Sequence, residues 1–146
     1  MKSLKIWITG ASGMLGQDLT RLAREAGHTC LLTDLDVDIT SESAVTEFLK
    51  KNTPDRLVNC AAYTAVDKAE SDQKLNYHVN AEGPKNLGEC CARAGVPLLH
   101  ISTDYVMSGN PPEPLEPDNP YNPMNAYGSA KAEGEKFLRA SGAKFW

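Results

Sequence analysis

Two hydrophobic periods alternate along the chain. Residues 4–9, LKIWIT, form a short apolar run rich in branched and aromatic side chains, which predicts a strand. Behind it Leu15, Leu19, Leu22 and Ala26 recur at helical spacing, and Gly27 stands where a helix end takes a left-handed residue. HTCLLTD, residues 28–34, predicts a second strand, and VDI, residues 37–39, a short third one. Ser41 is placed to cap a helix reaching Lys51, with Val45, Phe48 and Leu49 as its apolar stripe. RLVNCAA, residues 56–62, is apolar enough to be a central fourth strand. Residues 74–94 have a helical pattern and are expected to bend near Gly83 and Pro84, because proline lacks an amide donor. VPLLHIS, residues 96–102, predicts the fifth strand. The stretch 109–123 holds most of the chain's nine prolines and reads as a loop. Asn122 and Pro123 then suit the start of a last helix, residues 123–140.

Strands alternating with helices predict an α/β fold, with a parallel sheet covered on both faces. Right-handed crossovers favour a Rossmann-like doubly wound order 3-2-1-4-5, one domain spanning residues 1–146. Composition narrows the function classes. With 41% apolar and 23% charged residues the chain is a folded domain, and a net charge of −4 with no basic patch argues against nucleic acid. The apolar runs are too short to cross a membrane, and the start carries no signal-peptide pattern. Cys30, Cys60, Cys90 and Cys91 lack zinc-ligand spacing and read as free thiols of a cytoplasmic protein.

The candidate chemistry begins at GASGMLG. Gly10, Gly13 and Gly16 lie directly after the first strand and before the first helix. That arrangement gives a tight turn, close backbone approach to a diphosphate, and close packing of helix on sheet. The helix N-terminus then offers free amides to the anion. Asp34, 18 residues beyond Gly16, ends the second strand, where a carboxylate would accept hydrogen bonds from ribose hydroxyls and disfavour a 2′-phosphate. Tyr127 and Lys131, in YGSAK, lie one helical turn apart, so they share a face. His28, His78 and His100 have no metal-ligand spacing, and His100 reads as a satisfied core imidazole.

NCAAYTAVDKAE (59–70), ISTDYV (101–106) and YGSAK (127–131) follow the glycine turn in order. In these motifs the chain closely resembles the extended short-chain dehydrogenase/reductases, and within them the reductases of dTDP-linked keto sugars. The resemblance implies NADPH- or NADH-dependent reduction of the C4 keto group of dTDP-4-dehydro-L-rhamnose to dTDP-L-rhamnose. It makes Tyr127 the general acid and Lys131 the contact to the nicotinamide ribose. It places Thr103 and Asp104 in the active-site motif, with Ser102 beside them. The cofactor site it implies takes Gly10, Ser12, Gly13, Met14, Leu15 and Gly16 from the turn, and Asp34, Asp38 and Ile39 after the second strand. Ala61, Ala62, Tyr63 and Thr64 match the loop beside the cofactor, and Asn80 an asparagine that supports the lysine through water. A nearby ammonium typically lowers a phenol's pKa by about 1–3 units, so Lys131 is expected to make Tyr127 a stronger acid. Asp67, Lys68 and Glu70 stay open between function and a salt-bridged helix start.

Relatives of this kind usually have an aromatic residue and an aspartate where this chain has Met107 and Ser108, which bears on substrate preference. They also continue into further strands and a smaller substrate domain. The chain is therefore expected to be the cofactor-binding part, to leave its fifth strand as an uncovered edge, and to be inactive alone. The resemblance further implies a homodimer joined through Mg2+, for which Asp18 is the one candidate here, better read as a solvated helix-start acid. Two other functions share this signature: the regulatory subunit of methionine adenosyltransferase, and a nucleotide-sugar epimerase or dehydratase.

Overall fold

The structure, a computed structural model, describes residues 2–108 and 114–146. Strand β1 (Lys5–Thr9) is the centre of a parallel sheet, and its Trp7, Ile8 and Thr9 are fully buried. It pairs on one side with β2 (Thr29–Thr33) and on the other with β3 (Arg56–Asn59); β3 in turn pairs with β4 (Leu98–His100). The order β2-β1-β3-β4 is the expected doubly wound arrangement without its short third strand.

Residues 37–39 form turns instead. The reason lies in two aspartates, one before the stretch and one within it: Asp36 Oδ1 accepts from the Asp34 amide at 2.6 Å, and Asp38 Oδ1 from the Thr40 amide at 2.9 Å. Such local side-chain bonds offer the backbone an alternative to a ladder. Ile39 still reaches the core, at 6% exposure.

Helix α1 (Met14–Glu25) follows β1, and α2 (Glu42–Asn52) begins at Ser41, whose hydroxyl accepts from the Ala44 amide at 3.4 Å. After β3 come two short helices, α3 (Val66–Ala69) and α4 (Gln73–Tyr77). The expected bend is a π turn, His78–Glu82, which hands over to α5 (Gly83–Ala94) with Pro84 in its first turn. The last helix, α6 (Ala126–Ala140), starts three residues later than expected. Asn125 is its cap, accepting from the Gly128 amide at 2.7 Å. The Asn122 amide is engaged elsewhere, donating to the Val106 carbonyl at 3.0 Å. Of the expected loop, residues 114–123 contain no helix or strand, and residues 109–113 lie outside the described residues.

The core gathers Trp7, Val45, Leu49, Leu57, Leu87, Leu98 and Leu138. Trp7 stacks on Phe48 with ring centroids 4.4 Å apart, and its indole N–H donates to Thr33 Oγ1 at 2.8 Å, so burying the indole strands no donor. The outer edge of β4 is not left bare. Leu98 and His100 amides donate to the Lys144 and Trp146 carbonyls, both at 2.9 Å, and the Trp146 amide returns to Leu98 at 3.0 Å. The four cysteines are free thiols. Among the described residues no helix is long and apolar enough to cross a membrane. Thr9, Asn59 and His100 are register partners at the C-terminal ends of β1, β3 and β4, and the crevice beyond such strand ends is where open α/β sheets bind ligands.

Candidate functional site

A cleft of about 860 Å³ opens over those strand ends. One wall is the turn from β1 into α1. Gly10 has φ +62°, and a Cβ there would lie 2.6 Å from the Ala61 amide nitrogen. At Gly16 a Cβ would lie 2.3 Å from the Gly10 carbonyl oxygen. A Cβ at Gly13 would meet only the Gly10 oxygen, at 3.3 Å, and otherwise open space. Gly13 is also the N-cap of α1, which has neither a side-chain cap nor an acidic residue in its first turn. The helix thus presents uncapped amides and a partial positive charge to the cleft, together with Ser12, Met14 and Leu15.

Asp34 stands just past β2. Its Oδ2 accepts from both the amide of Ser12, at 3.0 Å, and the Ser12 hydroxyl, so it buttresses the glycine turn. Asp38 and Ile39 line the same side. Asp38 is held below its ordinary carboxylate value chiefly by hydrogen bonds from the Thr40 hydroxyl and amide.

The opposite wall, Ala61 to Thr64, is a loop held by side chains. The Ala61 amide donates to Asn59 Oδ1 at 3.1 Å. Asn80, fully buried in the π turn, clamps Tyr63 at both its amide (3.0 Å) and its carbonyl (2.9 Å). It also donates to Asn76, which donates to the Ala126 carbonyl at the head of α6. Asn80 therefore lies behind the cleft wall and sets its shape. The Tyr63 hydroxyl is buried with no partner, the one such side-chain atom among the described residues, and its residue lines the cleft. An orphaned polar group of this kind fits a site built around a polar ligand.

The floor comes from the segment after β4 and from α6, with Ser102, Tyr127 and Lys131 lining it. Gly128 brings α6 against the segment after β4: a Cβ there would lie 2.1 Å from the Tyr105 carbonyl oxygen. Tyr127 is 8% exposed and meets Tyr105 edge to face at 5.8 Å. Burial pushes the Tyr127 phenol above its usual value; a hydrogen bond with Thr103 opposes this, and the Asp104 charge adds to it. Thr103 caps a 3-10 turn, Asp104–Val106, accepting from the Tyr105 amide at 3.3 Å and donating to Asp104 Oδ1 at 3.2 Å. Thr103 and Asp104 thus stand beside Tyr127 at the rim and not among the cleft-lining residues.

Lys131 departs from expectation. Its Nζ donates to the Ile101 carbonyl and lies 3.2 Å from His100 Nε2. Burial lowers it to about 8, with Glu135 opposing the shift. The phenol of Tyr127 is raised by burial and not lowered, and the lysine that was expected to lower it is engaged by the Ile101 carbonyl.

Leu35, Val37, Cys60, Leu75, Val79 and Ile101 also line the cleft and carried no sequence signal; topology alone assembles these apolar side chains. Glu70 now has a role, since its Oε1 accepts from the Ala126 amide at 2.7 Å and so steadies the helix of Tyr127. Asp67 and Lys68 lie outside the cleft lining. Asp18 is solvent-exposed beside Arg21 at 3.6 Å, and among the described residues no group of three acidic, histidine or cysteine side chains could hold a metal.

The family model described as RmlD substrate binding domain matches residues 4–146. A dTDP-4-dehydrorhamnose reductase of Mycolicibacterium smegmatis is 45% identical over 139 residues, 94% of this chain and 42% of that protein. The solved dTDP-4-dehydrorhamnose reductase of Clostridium acetobutylicum superposes with a TM-score of 0.93 at 42% identity, covering 97% of this chain and 51% of its own. That of Bacillus anthracis, in complex with NADP, superposes with a TM-score of 0.94 at 34% identity, covering 99% and 52%. The chain spans about half the length of the curated relatives it matches.

Proposed function

The chain belongs to the RmlD substrate binding domain family, and on that premise we propose that it is the cofactor-binding part of a nicotinamide-dependent reductase of dTDP-4-dehydro-L-rhamnose. The observation that carries the reading is the glycine turn, whose one tolerant Cβ position, Gly13, faces open space at an uncapped helix N-terminus. A dinucleotide diphosphate would sit there, on backbone amides. Asp34 would take the adenosine ribose, and Asp38 and Ile39 would flank the adenine side. Ala61 to Thr64 would lie along the middle of the molecule, with Tyr63 supplying its unpartnered hydroxyl.

When bound, the reduced nicotinamide supplies a hydride to the C4 carbonyl carbon. Tyr127 gives its proton to the carbonyl oxygen, so ketone plus hydride plus proton becomes alcohol. Its raised pKa keeps the phenol loaded with that proton across the neutral range. Thr103 hydrogen-bonds the same oxygen as charge develops there. Lys131 holds the nicotinamide ribose, and Ser102 and Asp104 complete the rim. The relatives named as dTDP-4-dehydrorhamnose reductases support this sugar as the substrate. A following domain would complete the sugar pocket, and Mg2+ together with a homodimer would belong to that longer protein. NADPH and NADH are both carried in the proposal: the Bacillus anthracis complex supports the first, the Asp34 carboxylate the second.

The test follows cofactor absorbance in a chain that extends through the substrate domain. Oxidation of NADPH or NADH that depends on dTDP-4-dehydro-L-rhamnose is expected. Oxidation of neither with this sugar, in a protein that binds the cofactor, would remove the substrate assignment.

A further inference from the structure

A row of hydrogen bonds runs across the sheet to Lys131. Thr9 Oγ1 bonds Asn59 Oδ1 at 2.7 Å, Asn59 Nδ2 meets His100 Nδ1 at 2.9 Å, and His100 Nε2 lies 3.2 Å from Lys131 Nζ. Thr9, Asn59 and Lys131 are each 1% exposed and His100 is half-buried between them.

The direction of each bond can be worked out. The Ala61 amide donates to Asn59 Oδ1 at 3.1 Å, and a backbone N–H cannot donate to an NH₂ group, so the Asn59 orientation is fixed. Its Nδ2 carries only donors, and His100 Nδ1 must accept. A neutral imidazole then bears its proton on Nε2, aimed at the lysine nitrogen. An ammonium also has only donors, and two donors would face each other at 3.2 Å. An uncharged amine resolves the conflict. Its lone pair accepts from Nε2–H, and it still donates to the Ile101 carbonyl.

We propose that His100 is a positioning residue that favours Lys131 as an uncharged amine in the cofactor-free cleft, so that binding of the nicotinamide ribose is coupled to uptake of a proton by Lys131. The proton comes from solvent and forms the third N–H, as ribose oxygens replace the imidazole N–H as partner; no other bond changes. Burial works in the same sense. It lowers Lys131 to about 8 and His100 to about 3, so the ring stays neutral. The inference rests on the cofactor reading above.

Other ionisable groups surround α6. Tyr127 and Glu135 lie on the helix itself, with Asp104 and Tyr105 on the 3-10 turn and Cys60 past β3. Glu70 follows α3, Lys74 and Tyr77 lie on α4, His78 and Glu82 on the π turn, and Lys85 and Glu89 on α5. A substitution at His100 leaves all of them in place.

Calorimetric titration of the chain with NADH, in buffers of different ionisation enthalpy, counts the protons taken up. NADH is used because it has no 2′-phosphate to titrate. At pH 8 about half a proton per site is expected, rising toward one at higher pH. His100→Gln puts a carbonyl oxygen before the lysine, which then keeps its proton more readily, and uptake is expected to fall below that of wild type while NADH still binds. Binding without proton uptake in the wild type overturns the inference and leaves the cofactor reading standing. Equal uptake in wild type and folded His100→Gln also overturns it. Absence of NADH binding removes both. If His100→Gln does not fold, the nitrogen-15 shifts of the wild-type imidazole decide: a protonated Nε2 with a bare Nδ1 is expected, and the reverse overturns the inference.

Discussion

Replacing Gly13 with alanine is expected to disable the cleft while sparing the fold, and the neighbouring Gly10→Ala to destabilise the fold itself. Gly13 has φ −68° and ψ 165°, a conformation alanine adopts freely, and its new methyl would meet only the Gly10 oxygen at 3.3 Å. Alanine caps a helix less well than glycine, by roughly 0.5–1 kcal/mol, but it also restricts the unfolded chain by about 0.4–1 kcal/mol. The two effects nearly cancel, and Tm should stay within about 3 °C of wild type. Gly10 differs on both counts. Its φ of +62° costs an alanine about 1–2 kcal/mol, and the methyl would sit 2.6 to 2.8 Å from backbone atoms of Cys60 and Ala61, which cannot rotate away. Overpacking of this kind adds about 1–3 kcal/mol, for a total of roughly 2–5 kcal/mol and a fall in Tm on the order of 10 °C. In the cleft the Gly13 methyl would intrude between the α1 amides and a diphosphate. At about 1–3 kcal/mol, NADPH affinity should drop roughly 5- to 150-fold. Thermal unfolding and a nicotinamide-fluorescence titration of the same samples read both quantities. A Gly13→Ala protein that binds NADPH like wild type would refute the placement of the diphosphate. One as unstable as Gly10→Ala would show that Gly13 serves the fold.

Lys131 should be a stability liability below its lowered pKa. The folded chain disfavours its charge, so the unfolded state binds more protons between about pH 8 and the ordinary value of 10.5, and stability rises across that window. Lys131→Met is therefore expected to unfold at a higher temperature than wild type at pH 7, by an amount on the order of 1–3 kcal/mol, and the gap should narrow by pH 9.5 in paired melting curves. Asn80→Ala frees the Tyr63 backbone and should cost about 1–3 kcal/mol per orphaned group, with weaker cofactor binding in the same titration. Glu70→Ala removes the acceptor for the Ala126 amide and should cost about 0.5–2 kcal/mol in a denaturant melt, while Glu70→Gln keeps most of it.

Much of the site was legible because it is written in local rules. Gly10, Gly13 and Gly16 stand between a strand and a helix, and Tyr127 and Lys131 are one turn apart, so spacing alone places them. The turn at 37–39 reads as a strand because an aspartate between Val37 and Ile39 fits either state, and the Asp36 and Asp38 side chains decide between them. The start of α6 was misread because Asn122 and Asn125 are equal as caps until Asn122 is tied to Val106. The direction of the Lys131 side chain was not legible at all. It depends on His100, on a different element, and on the register that aligns Thr9, Asn59 and His100.

Tyr127→Phe, in a chain that extends through the substrate domain, tests the central claim most directly, because it removes one oxygen and leaves the ring packed against Tyr105. The account predicts a fall in kcat for dTDP-4-dehydro-L-rhamnose of about 10²- to 10⁴-fold, with NADPH affinity held within about twofold. Turnover close to wild type at unchanged cofactor affinity would contradict it.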